Sequence, residues 1–93
     1  MRQIKAQKTT TQGMLEVTSS ELKSLVTLNP WIAIGQHDLE NTDFNSENII
    51  GYVAGDIDQL TFKSGAKKPI NEASDVWFIN KNFFDKNYRE IGC

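Results

Sequence analysis

His37 is the one histidine of this 93-residue chain, and Asp38, Glu40 and Asp43 follow it closely. An imidazole among carboxylates is raw material for two chemistries. As a general base it would have to lie within hydrogen-bond reach of a serine, threonine or cysteine, with a third group to orient it. Hydroxyls and carboxylates are so common in this chain that candidate partners alone carry no weight, and a surface histidine is the simpler reading. As a metal site, the spacing of His37, Asp38, Glu40 and Asp43 fits neither the i,i+4 pair of a helical zinc site nor a calcium loop. Asp56-x-Asp58 begins like a calcium loop but lacks the later glycine and bidentate glutamate. The sequence therefore predicts no metal, no cofactor and no enzyme, with a small hydrolase using His37 as the remaining catalytic alternative.

Other reactive types point the same way. The single cysteine, Cys93, is the last residue given, so no disulfide can form within this sequence. Gly13, Gly51, Gly55 and Gly65 form neither GxGxxG nor GxxxxGK[ST], which argues against a nucleotide loop of known type. Trp77, Phe78, Phe83, Phe84 and Tyr88 crowd one stretch, where they could stack bases. Core packing is the plainer use of so many large rings.

Charge narrows the partners. Ten Lys and Arg against twelve Asp and Glu give −2, the wrong sign for a duplex-binding surface. No Lys or Arg lies between Lys23 and Lys63, and Asp38, Glu40, Asp43, Glu47, Asp56 and Asp58 make this middle acidic. Lys63, Lys67 and Lys68 then form a short basic cluster around Gly65 and Pro69. An acidic run of this kind is either a solvated loop or a face that docks on a basic partner.

These residues need a scaffold, and the length predicts one domain over 1–93 with one modest core. Arg2–Lys8 alternates as a first strand with Ile4 and Ala6 on one face, a polar turn spans Thr9–Gly13, and Met14–Val17 is extended again. Thr18-Ser19-Ser20-Glu21 is a capping box, with Val17 and Leu22 placed for a hydrophobic staple. The spacing predicts a helix over 19–28 that stops before Asn29-Pro30. Trp31–Gly35 is apolar on both faces, which predicts a central strand. The polar stretch 37–48 predicts an exposed loop with Phe44 as its lone anchor. Strands follow at 49–54, 60–62 and 75–79, then a short helix over about 81–88 capped by Asn80 or Asn82, then an edge strand at 89–91. The expected class is α+β: a mostly antiparallel sheet of four to six strands with both helices on one side.

No stretch approaches the roughly 20 apolar residues of a membrane-spanning helix. The basic start Met1–Lys5 has no apolar region after it, so no secretory leader is expected, and the reading is a cytoplasmic protein, monomer or homodimer.

The stretch Val76–Tyr88 resembles a motif of small uncharacterised bacteriophage proteins, in which an aromatic strand leads into a short F-x-x-x-Y helix; Phe84 and Tyr88 match those two positions. Lys81 stands where those proteins often carry proline. The resemblance brings no catalytic residues; it implies an accessory protein that binds and blocks a host protein or defence complex, of anti-CRISPR or anti-restriction type. The expected contact residues are Asp38, Glu40, Asp43, Glu47, Asp56 and Asp58, with Phe44 as apolar anchor, facing a host nucleic-acid-binding complex rather than nucleic acid itself. The alternative is a small-ligand, nucleotide-like binding domain with Trp31, Tyr52 and Trp77 lining a pocket, within one chain or between protomers.

Overall fold

The computed structural model describes residues 1–8, 11–60, 62 and 76–91. Strand β1 (Arg2–Gln7) pairs antiparallel with β2 (Thr11–Thr18), from Arg2 opposite Glu16 to Gln7 opposite Thr11. The polar segment Thr9–Gly13, expected to be turn, is thus strand from Thr11 onward, because Gln12 and Gly13 continue the ladder with Ala6 and Lys5.

Helix α1 (Ser19–Leu28) has the predicted bounds. The Glu21 N–H donates to Thr18 Oγ1 at 3.3 Å, and the Thr18 N–H donates to Glu21 Oε1 at 3.0 Å, closing the capping box. Val17 and Leu22 join the same core cluster, as the staple requires. Leu22 and Leu25 are almost fully buried, each contributing roughly 2 kcal/mol by removal from water. The helix stops at Asn29, whose N–H and side-chain amide both donate to the Leu25 carbonyl, at 2.7 and 2.9 Å.

The remaining elements are β3 (Ala33–Ile34), α2 (Gln36–Glu40), β4 (Ile49–Gly55), a 3-10 turn (Ile57–Gln59), β5 (Val76–Asn80), α3 (Lys81–Asn87) and β6 (Arg89–Glu90). They complete a six-stranded sheet in the order β3-β5-β4-β2-β1-β6. Only the β3–β5 pairing among these is parallel, so the fold is α+β with a mostly antiparallel sheet.

Three expectations change. The run Trp31–Gly35 is no central strand: β3 keeps only two residues and lies at the edge. The central place belongs to β4, where Ile50, Gly51, Tyr52, Val53 and Ala54 are all buried, while Ile32 serves the core from a loop. The two long helices also cover opposite faces. Leu22 and Leu25 of α1 pack with Leu15, Val17, Val53, Val76 and Phe78. Phe84 of α3 packs with Ile4, Ala6, Met14, Tyr52, Ala54 and Ile79. Alternation along β2, β4 and β5 sends these two sets to opposite sides. Finally, Leu60 is the buried C-cap of the 3-10 turn and Phe62 is exposed outside any strand. Thr61, the cluster Lys63, Lys67 and Lys68, and Asp75 lie outside the described residues.

A β-bulge falls where β2 meets β4: Thr18 pairs with Ile49 but Val17 with Gly51, and Ile50 turns into the α1-side core. Gly51 is required here, because a Cβ would sit 2.1 Å from the Ile79 carbonyl oxygen and 2.7 Å from the Phe78 ring. Gly55 ends β4 at φ 111°, a region that favours glycine.

Candidate functional site

The end of β5 organises its surroundings through one side chain. Asn80 is 4% exposed, and its Oδ1 accepts from the N–H groups of Asn82 at 2.7 Å and Phe83 at 3.3 Å, capping α3. Its amide nitrogen donates to the Asn41 carbonyl at 2.9 Å and to Thr42 Oγ1 at 2.7 Å. The Asn80 backbone N–H donates to Asp38 Oδ1 at 3.0 Å. A buried amide leaves no hydrogen bond unmade here, as the cost of burial demands.

This junction fixes the start of the polar stretch that the sequence reads as a loop. It opens as helix α2, with Asp38 half-buried against β5. Its second anchor is Ser19, also 4% exposed, whose hydroxyl donates to the Phe44 carbonyl. The Phe44 ring packs against the α1-side core. Between and after the anchors, Asp43 Oδ1 accepts from the Asn45 N–H at 2.9 Å, and Ser46 Oγ from the Asn48 N–H at 3.1 Å. The segment is therefore held at two points and stiffened by its own turns.

The acidic residues are distributed unequally over this frame. Glu40, Asp43 and Glu47 are exposed, whereas Asp38 works inside the junction and Phe44 inside the core. Among the described residues the ion pairs are Met1–Glu21, Arg2–Glu16, Arg2–Glu90 and Lys81–Asp85, so no cation is paired with Glu40, Asp43 or Glu47. Asp56 and Asp58 follow the far end of β4, about 20 Å along that strand from Ile49. The expected single acidic face is thus two separate patches.

His37 is exposed, with Asn41 Nδ2 3.3 Å from its Nδ1. No hydroxyl or carboxylate is hydrogen-bonded to its ring among the described residues. No group of three or more His, Cys, Asp or Glu side chains among them could hold a metal. Cys93 lies outside them.

Trp31, Tyr52 and Trp77 do not meet in one pocket. Trp31 packs on the α1-side core, while Tyr52 and Trp77 belong to the α3 side. On that side the rings form a column: Tyr52 and Phe84 stack at 3.9 Å between centroids, and Phe84 and Tyr88 at 5.6 Å with planes 4° apart. Burial raises the Tyr52 hydroxyl above its ordinary pKa, helped by the Glu16 carboxylate. Beyond Tyr88 lies a cleft of about 430 Å³ lined by Lys8, His37, Asp38, Trp77, Phe83 and Tyr88. Lys8 Nζ sits 5.5 Å from the Phe83 centroid and 6.0 Å from that of Tyr88. Sequence reading grouped Phe83 and Tyr88 with Trp77 but missed Lys8. Lys8 arrives there only because Gln7 pairs with Arg89, a contact between residues far apart in sequence.

Comparison with known protein families, characterised proteins and solved structures finds no match for this chain. No helix among the described residues is long and apolar enough to cross a membrane.

Proposed function

We propose that this chain is a non-catalytic interaction protein that binds a basic surface of a partner protein through the segment 36–48. One observation carries the reading: an exposed stretch is anchored by two buried polar side chains, Asn80 and Ser19, and presents Glu40, Asp43 and Glu47 with no paired cation among the described residues. Fixing such a segment in advance lowers the ordering cost of association, and unneutralised carboxylates accelerate encounter with a basic partner. The resemblance of Val76–Tyr88 to phage accessory proteins supplies the class of target, a host nucleic-acid-binding or defence complex that is blocked stoichiometrically.

The test compares the parent chain with Glu40→Lys/Asp43→Lys/Glu47→Lys and with Asp56→Lys/Asp58→Lys as bait in a bacterial lysate carrying defence systems. The parent should retain one partner at fixed stoichiometry. The triple variant should bind it about tenfold or more weakly and with a flatter salt dependence, while the double variant binds as the parent does. Equal capture by the triple variant would remove the segment from the interface and the proposal with it.

A further inference from the structure

The α3 side of the sheet carries a second feature, which borders the segment 36–48 at His37 and Asp38 but not at Glu40, Asp43 or Glu47. The column Tyr52–Phe84–Tyr88 runs from two almost buried rings to one that is only half-buried. Next to that outer ring stand Phe83, 36% exposed, and Trp77, half-buried, so three aromatic side chains offer the cleft surface that the other described residues do not cover. A folded protein gains by burying such rings, and leaving several around one concavity needs a reason. The second feature of the cleft is its charge. Lys8 lies over Phe83 and Tyr88 with no carboxylate partner among the described ion pairs. Lys86 borders the adjoining hollow shared by His37 and Phe83.

We propose that the cleft lined by Trp77, Phe83, Tyr88 and Lys8 binds a mononucleotide, its base against the rings and its phosphate on the lysine. A flat heteroaromatic ring suits stacking surfaces, and a phosphate suits an ammonium group already at their edge. The volume, about 430 Å³, is in the range of small-molecule pockets and suits one ligand of this kind. A longer strand fits poorly: the Asp38 carboxylate lines the same cleft, Glu40 is exposed on the same helix, and the net charge is −2. A run of phosphates would meet repulsion where a single one meets Lys8. The cleft borders the protein-binding segment at His37 and Asp38, but the two readings are separable, since Glu40, Asp43 and Glu47 do not line the cleft.

Amide and indole NMR spectra of the full chain would be followed while AMP, UMP, adenosine, inorganic phosphate or an oligothymidylate is added. AMP or UMP should give saturable shifts of the Trp77 indole and of the His37, Phe83 and Tyr88 amides, with the Trp31 indole unmoved. Lys8→Gln and Phe83→Ala should each weaken binding about tenfold, in line with the loss of one phosphate contact or one stacking face. If Phe83→Ala lowers the melting temperature, Phe83→Leu removes the ring while keeping apolar contact. Adenosine binding as tightly as AMP, or phosphate alone binding as tightly, would overturn the two-part ligand. Oligothymidylate binding more tightly than either nucleotide would replace the mononucleotide by a single strand. No saturable shift with either nucleotide at millimolar concentration would remove the site.

Discussion

Asn80 ties β5, α3 and the end of α2 together through one side chain. It makes four side-chain hydrogen bonds across three segments while almost fully buried. Asn80→Ala should therefore lower stability by roughly 2–3 kcal/mol in urea unfolding, combining a lost helix cap with donors and acceptors left unpaired. Asn80→Asp separates the contributions: it preserves the cap acceptor but removes both amide donors and sets a carboxylate near Asp38. It should be destabilised as well, and restored in part by Asp38→Asn; absence of that rescue would show the two carboxylates do not interact. The cap itself was legible, since an Asn before an apolar helical stretch is a stop-and-start signal, though Asn82 read equally well. The contacts to Asn41 and Thr42 were not, because they join residues almost forty positions apart and no local pattern encodes them.

Among elements, α1 was readable to the residue because all its determinants are local: the box at Thr18 and Glu21, the staple, and Pro30 after the end. β3 misled for the opposite reason. An apolar run reports burial, and Trp31-Ile32 is drawn to the core under α1 without being strand. The capping box also has a titration. The hydrogen bond from the Thr18 N–H holds the Glu21 carboxyl below the ordinary glutamate value, against the opposing effect of burial. The Arg2 guanidinium does the same for Glu16. Both groups are more acidic folded than unfolded, so their stabilisation is complete above the ordinary value of 4.5 and fades as pH falls through the folded values. The melting temperature should accordingly decline as pH drops from about 5 to about 3. Glu21→Gln, which can still accept the Thr18 hydrogen bond, should flatten part of that decline; an unchanged profile would show that Glu21 contributes nothing to it.

At the scale of the molecule, the sheet is protected from its middle outward. β4 is flanked by β2 and β5 and covered on both faces, whereas β3 and β6 are two-residue edges. Amide exchange should be slowest at Tyr52, Val53 and Ala54 and fast at Ala33, Ile34, Arg89 and Glu90, where opening needs only local fraying. Uniform protection across all six strands would contradict the layered arrangement. The class of this sheet was visible in the sequence of strands and helices, but the placement of α1 and α3 on opposite faces was not. Each helix reaches its face through strand order, and strand order is decided by long-range pairing.

That order also sets a timetable for a chain emerging from a ribosome. β3 and β4 are successive strands of the sequence, yet they do not pair; β5, which is synthesised later, must slip between them. Until it does, the flank of β4 that will receive Val76–Asn80 stands open, and the edge of β1 away from β2 has no strand partner at Ala6 and Gln7 until Arg89 and Glu90 appear. The nascent chain can close the β1–β2 hairpin and wind α1 early, but its six-stranded sheet is finished only once Arg89 and Glu90 have been made.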